Sequence, residues 1–147
     1  MQHPQREKSV DYLIRTVSLG MKALANEKIA AYGLSGAQGR VLGAIYHGTQ
    51  SGMDVSRKDL QKEIQISGPS ITSLLNGLEK KGLISRTAAS DDARLITLKT
   101  TPKGEKIVHD SVGVFQEIRD QSMAGFTKVE IQLLVEFLQR MKMNLYT

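Results

Sequence analysis

The fold is decided by residues 56–103, which read SRKDLQKEIQISGPSITSLLNGLEKKGLISRTAASDDARLITLKTTPK. They carry nine Lys or Arg against five Asp or Glu, a surplus of four, whereas the rest of the 147-residue chain has a surplus of one. Nearly all of the net charge of +5 therefore lies in the middle third of the chain. A polyanion such as duplex DNA would be bound there.

Two short helices separated by a tight turn are predicted at the start of this stretch. Ser56 can cap the first helix, and Leu60 and Ile64 lie four residues apart on one of its faces. Ser67 and Pro69 mark the start of the second helix. Its apolar residues repeat at helical spacing: Ile71, Leu74, Leu75 and Leu78. Two helices joined by so short a turn form a helix-turn-helix, in which the second helix enters the major groove.

A β-hairpin is predicted after the second helix. Residues 83–87 and 95–100 are β-branched, partly alternating runs, and the polar loop 88–94 separates them. Asp92 can hold the guanidinium of Arg94 extended, and an arginine suits a narrow minor groove, where negative potential is concentrated. The hairpin is therefore predicted to be the wing of a winged helix.

Two other functions are compatible with such a unit. A helix–helix–hairpin can dock on a protein, with its basic face only solvated. It can also be an architectural DNA binder without sequence preference. Salt-dependent DNA binding separates DNA binding from protein docking, and comparison of random with selected duplexes identifies an architectural binder. Residues 56–103 combine a helix cap, a tight turn, an apolar helix stripe, a wing and a localised positive charge in the order that favours DNA binding.

The stretch resembles the winged helix of MarR-type transcription regulators. The family's wing signature is Asp-x-Arg, a strand, then Leu-Thr before a Gly-containing helix start; here it reads Asp92-Ala93-Arg94 and Thr100-Thr101-Pro102-Lys103-Gly104. Residues 66–72 resemble the start of the family's recognition helix, and residues 78–84 its end. The resemblance covers the whole chain in length and helix order, with specific motifs confined to residues 56–104.

Three positions depart from the family's pattern. Ser73 stands where Arg or Lys is common, so a base-reading or phosphate contact is missing there. Ala93 stands where the family often has a second wing Arg, which weakens the expected grip on the minor groove. Thr100 replaces the usual Leu, a change that we interpret as structural.

The DNA-binding residues follow from this arrangement. The recognition helix, residues 67–81, is expected to present six residues to base edges and phosphates: Ser67, Pro69, Ser70, Thr72, Ser73 and Asn76. Arg57, Lys58 and Arg86 are expected to meet the phosphate backbone.

Four further helices flank this stretch. The first is predicted over residues 7–32, and the second starts at Ser35, a good cap, and ends before a loop at residues 48–52. The third runs over residues 102–123, and Thr127 caps the last. The chain is therefore predicted to be mainly α-helical with a small β-hairpin wing.

The terminal helices carry apolar stripes that one winged helix cannot cover. The economical solution is a twofold homodimer with interleaved terminal helices, and the alternative is an intramolecular helical pair. The predicted interface residues are Leu13, Val17, Leu134, Leu138 and Met141. The chain is thus expected to be a single domain, residues 1–147. It would have a DNA-binding lobe at 35–101 and a dimerisation lobe formed by 1–34 and 102–147.

Composition and motifs exclude several classes of protein. The chain has no cysteine, which excludes disulfides and thiolate metal sites and, within the resembled family, sensing by thiol oxidation. No apolar run approaches 18 residues and no export signal is recognisable, so a cytoplasmic protein without membrane spans is expected. His3, His47 and His109 lie far apart in the sequence and fit no metal-binding or catalytic pattern. No enzymatic activity, cofactor or metal is expected.

The expected function is that of a homodimeric, sequence-specific regulator of transcription, most simply a repressor, on a pseudo-palindromic operator in double-stranded DNA. The family resemblance places a ligand cleft between the dimer helices and the winged helix, where Met21 is a candidate. Tyr46 and His47 are further candidates, the alternative being a partly buried histidine without ligand. A small aromatic or anionic ligand that favours another separation of the two lobes would lower DNA affinity by shifting the population.

Overall fold

The computed structural model describes residues 8–89 and 92–146, without the side chains of residues 89 and 92–95. In chain order its helices and strands are α1 (Val10–Ile29), a 3-10 turn (Ala30–Tyr32), α2 (Gly36–Gln50), α3 (Arg57–Ile64), α4 (Gly68–Lys80), β1 (Ile84–Ala89), β2 (Asp92–Thr100), α5 (Pro102–Ser122) and α6 (Lys128–Leu145). This is the predicted winged helix-turn-helix with long terminal helices.

Every α-helix begins at a hydroxyl side chain that accepts a backbone N–H of its first turn: Ser9, Ser35, Ser56, Ser67, Thr101 and Thr127. At three of these caps, the third helical residue also bonds back to the backbone N–H of the cap: Gln38, Asp59 and Glu130. Each such cap contributes about 1 kcal/mol to helix stability. The caps predicted at Ser35, Ser56, Ser67 and Thr127 are confirmed.

Two predicted boundaries at the first two helices need correction. The helix predicted over residues 7–32 is α1 followed by the 3-10 turn, and its first residue lies outside the described part of the chain. The loop predicted at residues 48–52 is wrong, because α2 continues to Gln50. Gly48 is buried, and a Cβ on it would lie 2.1 Å from Cγ2 of Val55. This glycine therefore lets the Val55 side chain approach α2 closely, and it does not interrupt the helix.

The hairpin is longer than predicted. Its strands pair in antiparallel register from Ile84↔Thr100 to Ala88↔Ile96, and the register then shifts to Ala89↔Asp92. The polar loop predicted at residues 88–94 is therefore wrong, because residues 88, 89 and 92–94 belong to strands. Backbone pairing continues along the ladder although Asp, Ala and Arg are not typical strand residues.

The hydrophobic core lies between α2, α3, α4 and the hairpin. Its most deeply buried members are Val41, Leu42, Ile45, Leu60, Ile71, Leu78 and Leu83. The backbone N–H of Leu98 donates to the carbonyl of Val55 at 2.8 Å, which fastens β2 to the segment before α3. The helix-turn-helix and the wing therefore share one core, and the predicted apolar face of α4 is confirmed.

The wing is joined closely to α5. The Thr101 hydroxyl caps α5 and donates to the carbonyl of Gly82 at 2.6 Å, while the Thr101 N–H donates to the carbonyl of Leu83 at 3.0 Å. A Cβ on Gly104 would lie 2.1 Å from that same Leu83 oxygen. Only a glycine allows the first turn of α5 to approach the backbone of Leu83 so closely.

The terminal helices leave apolar surface uncovered. In α1 only Ala25 and Ile29 are buried, and α6 has no buried residue. Leu13 and Val17 on α1 are 47% and 54% exposed, and Leu138 on α6 is 43% exposed. The two helices border an open apolar groove without closing on each other. An intramolecular helical pair therefore does not cover the predicted stripes. Within the described ranges, none of the helices has the length and apolarity needed to cross a bilayer.

Candidate nucleic-acid interface

The recognition helix α4 begins with a polar, tightly hydrogen-bonded turn. The Ser67 hydroxyl accepts the backbone N–H of Ser70 at 3.4 Å and donates to the Ser70 hydroxyl at 2.8 Å. The Thr72 hydroxyl donates to the carbonyl of Gly68 at 3.1 Å, so its proton points into the helix. Ser70 is exposed and Thr72 is half-buried. The start of α4 therefore presents hydroxyl groups that already bond to one another or to its own backbone.

Five predicted DNA-binding residues lie along one shallow groove. Its lining consists of Arg57, Gly68, Pro69, Thr72, Ser73 and Asn76. Nη2 of Arg57 donates to the carbonyl of Gly68 at 2.8 Å, so the first residue of α3 is fastened to the first residue of α4. The guanidinium carries further N–H donors for an anion. The structure thus combines a cation with the polar face of the recognition helix.

Lys58 projects next to this groove from the first turn of α3. Lys58 is exposed, and its charge acts on the neighbouring Asp59. The neighbouring Asp59 accepts hydrogen bonds from the Ser56 backbone and hydroxyl, which hold the pKa of its carboxyl below the usual value. Because the pKa of Asp59 is lowered in the folded state, its ionised carboxylate stabilises the fold above the usual pKa of an Asp. This stability is lost as the pH falls through the lowered pKa.

Arg86 is not a free cation. Its Nη2 donates to Oδ1 of Asn76 at 2.7 Å, and its Nε lies 2.5 Å from Oε2 of Glu79. The residue therefore connects β1 to the exposed face of α4, although the sequence predicted only a phosphate contact for it. Glu79 was not among the predicted residues, since its pairing depends on how the hairpin packs against the helix. The i, i+3 spacing of Asn76 and Glu79 was the available signal.

Two lysines of the basic stretch are also engaged. Nζ of Lys81 donates to the carbonyl of Gly33, and Nζ of Lys103 donates to the carbonyl of Lys81 at 3.1 Å. Lys103, in the first turn of α5, thereby reaches the C-terminal end of α4, where unpaired carbonyls and the helix dipole attract cations. The charge surplus of the sequence is therefore partly structural.

The predicted wing contact lies outside what the structure describes. The backbones of Asp92 and Arg94 belong to β2, and their side chains are not among the described ones. The role of Asp92 in orienting Arg94, and of Arg94 in the minor groove, stays a prediction.

Comparisons with known proteins agree with this geometry. The model of the MarR family matches residues 32–95, which span most of the winged helix. The chain is similar to S. aureus MepR in a DNA complex, with a TM-score of 0.85, 29% identity and coverage of 95% of this chain and 98% of that one. The chain is thus similar in sequence and fold to MarR-type winged-helix proteins.

Two other proteins are similar to this chain in sequence or in fold. The uncharacterised HTH-type transcriptional regulator YdgJ of Bacillus subtilis is 28% identical over 116 residues, which are 79% of this chain and 68% of that protein. A putative MarR family regulator from Listeria monocytogenes, complexed with 26mer DNA, has a TM-score of 0.83 at 20% identity. It covers 93% of this chain and 89% of that one, and it shows the shared fold. These likenesses agree with the predicted winged helix-turn-helix fold.

One residue that the sequence did not predict lies beside the candidate ligand-binding residues. Tyr46 on α2 makes edge-to-face contacts with His47 and with His109 of α5, with ring centroids 5.6 and 5.5 Å away. The Tyr46 hydroxyl and Nε2 of His109 are 3.2 Å apart. Met21 is half-buried on α1. The sequence did not predict this contact, because Tyr46 and His109 are 63 residues apart in the chain. The packing of α5 on α2 brings the two side chains together.

No metal centre emerges from this cluster. Within residues 8–89 and 92–146, no group of three His, Cys, Asp or Glu is placed to hold a metal ion. His47 is exposed and Tyr46 is half-buried, so the cluster can meet a solvent-borne molecule through aromatic and polar contacts.

Proposed function

We propose that this chain is a homodimeric, sequence-specific repressor of transcription in the cytoplasm. It would bind a pseudo-palindromic operator and leave it when a small ligand binds. The observation that carries the proposal is the groove in which Arg57 joins Pro69, Thr72, Ser73 and Asn76 on the exposed face of the recognition helix. A polar helix face with an adjacent cation is what major-groove recognition requires. The likeness to MepR in its DNA complex supports it.

In the proposed complex, each element has a separate role. α4 would lie in the major groove, with Ser67, Ser70 and Ser73 near base edges or phosphates, while Lys58 and Arg57 would bind the phosphate backbone. Phosphate contacts fix the position of the protein on the duplex, and contacts to base edges carry the sequence preference. Arg94 would add a minor-groove contact from the wing.

Dimerisation is proposed from the uncovered terminal helices. Residues 1–34 and 102–147 would form a dimerisation lobe and residues 35–101 a DNA-binding lobe within one domain. The apolar residues concerned are exposed or half-buried in the single chain: Leu13, Val17, Leu134, Leu138 and Met141. A twofold partner that supplies the same helices would bury both stripes at once.

Release by a ligand is the regulatory part of the proposal. The aromatic group of Tyr46, His47 and His109, with Met21 nearby in the proposed dimer, would accept a small aromatic or anionic compound. Its binding would lower DNA affinity by about 1–3 kcal/mol, the usual range of coupling free energies. Compounds found by thermal shift are then tested for their effect on operator affinity, and a compound that stabilises the protein without changing that affinity does not support the coupling.

DNA binding itself is tested by fluorescence anisotropy with duplexes at several salt concentrations. The proposal predicts an affinity that falls steeply with salt and that is at least about a thousandfold higher for selected than for random duplexes. Absence of binding would favour a winged helix that docks on protein. Equal affinity for random and selected duplexes would identify an architectural DNA binder.

A further inference from the structure

Arg86, Asn76 and Glu79 form a polar network where the wing meets the recognition helix. One guanidinium donates through Nη2 to Oδ1 of Asn76 at 2.7 Å and through Nε to Oε2 of Glu79, 2.5 Å away. The Arg86 side chain is 32% exposed, and Glu79 offsets its charge. Arg86 is therefore engaged with α4 before any DNA arrives.

The network determines which end of the Asn76 amide is available to a ligand. A guanidinium has only donors, so Oδ1 of Asn76 must face Arg86 and Nδ2 must point away from it. Nδ2 has no partner among the described residues, and Asn76 lines the groove together with Thr72 and Ser73. The residue thus offers two N–H donors while its acceptor is already bonded.

We propose that Arg86 is a positioning residue that makes Asn76 a hydrogen-bond donor, so that Asn76 selects guanine in the major groove. This inference rests on the proposed function. An unrestrained Asn prefers adenine, because Oδ1 accepts from N6 and Nδ2 donates to N7. When Oδ1 is held by Arg86, the donors match the adjacent O6 and N7 acceptors of guanine. Cytosine presents only its N4 donor and is disfavoured.

The alternative role of Arg86 is a direct phosphate contact, and the two roles differ in a measurable way. Loss of a phosphate contact weakens binding to all sequences alike and reduces the dependence on salt. Loss of a positioning residue changes the preferred base at one position of each half-site. The network is removed without a change in net charge by the double variant Arg86→Met with Glu79→Gln.

The experiment first uses Asn76→Ala in a selection from random duplexes to identify the position at which Asn76 reads the sequence. Affinities are then measured for four duplexes that differ only at that base pair in each half-site. Wild type is expected to prefer guanine over adenine by about tenfold. The double variant at Arg86 and Glu79 is expected to prefer adenine. Circular dichroism establishes that each variant is folded.

A second variant keeps the test decisive if the double variant does not fold. Asn76→Asp retains a partner for Arg86 but presents only acceptors, so its preference is expected to move to cytosine. An unchanged guanine preference in Asn76→Asp overturns the inference. It is also overturned if wild type prefers adenine at this position or if the folded double variant retains guanine. A wild type that binds no duplex selectively contradicts the proposed function as well, so the two failures are distinguishable.

Discussion

Lys58 is an exposed cation in the first turn of α3, next to Arg57 in the sequence. We predict that Lys58→Ala reduces the slope of log K against log salt by about 0.9 if it neutralises one phosphate. Lys128→Ala, on the exposed start of α6, is the matched control and should leave the slope unchanged. Anisotropy titrations across salt concentrations measure both slopes. Equal slopes for wild type and Lys58→Ala would remove Lys58 from the phosphate contacts.

Thr100 and Thr97 provide a matched pair of buried hydroxyls on β2. Thr100 is 8% exposed and its Oγ1 has no hydrogen-bond partner among the described residues, whereas Oγ1 of Thr97, 7% exposed, bonds to the Thr87 hydroxyl at 3.0 Å. We predict that Thr100→Val raises the free energy of unfolding by about 1 kcal/mol, because an unsatisfied polar group is removed. Thr97→Val should lower it by about 1 kcal/mol. Urea denaturation measures the free energy of unfolding of both variants. An equal loss of this free energy in the two variants would show that the Thr100 hydroxyl is hydrogen-bonded.

At the residue scale, the sequence predicted which side chains face the groove but not what they bond. The exposed positions on α4 follow from helical periodicity, so Ser73 and Asn76 could be assigned to the outer face. The attachment of Arg86 to Asn76 depends on the angle at which the hairpin packs against α4, which local sequence does not encode. The same holds for Lys81, whose ammonium bonds to the carbonyl of Gly33, 48 residues earlier.

At the scale of elements, the first turn of α5 packs closely against Leu83, the residue before β1. We predict that Gly104→Ala lowers the free energy of unfolding by about 1–3 kcal/mol, because its Cβ would lie 2.1 Å from the carbonyl oxygen of Leu83. Gly43→Ala in α2 is the control, since its Cβ would meet nothing within 4 Å. That change should stabilise the helix by up to about 1 kcal/mol. Thermal unfolding measures the stability of both variants. An equal change in stability would contradict the close contact between Gly104 and Leu83.

Elements were predictable where local chemistry decides them. A Ser or Thr cap followed by a periodic apolar stripe located α2, α3, α4 and α6, because the cap and the stripe act within a few residues. Gly48 was misinterpreted because a glycine that permits close packing on Val55 looks the same in the sequence as one that ends a helix. The extent of the hairpin was also underestimated, because strand pairing extends into residues whose own preference is for turns.

For the whole molecule, the terminal helices determine assembly. We predict that replacing Leu134 and Leu138 with Asp dissociates the dimer, because two unpaired carboxylates in an apolar interface cost several kcal/mol. Operator affinity should fall more than in any single groove variant, since a monomer presents one recognition helix. Met53→Asp, at an exposed apolar residue before α3, is the control and should remain dimeric. Sedimentation velocity and anisotropy test this together, and an intact dimer with wild-type affinity would place the interface elsewhere.

The apolar stripes of the terminal helices were visible in the sequence because their period is helical. The sequence alone left open whether they pair within one chain, and the structure shows α1 and α6 exposed in the single chain. The position of one protomer against its partner depends on surfaces far apart in the chain, so neither the half-site spacing nor the ligand cleft could be derived from local patterns.

The central claim is that two copies of this chain present two recognition helices to one duplex. Selection of bound sequences from a random duplex pool tests it most directly. The expected result is an inverted repeat with half-site centres about 10 base pairs, or roughly 34 Å, apart or at a multiple of that spacing. Enrichment of a single half-site without its inverted copy, or no enrichment over the starting pool, would contradict the account.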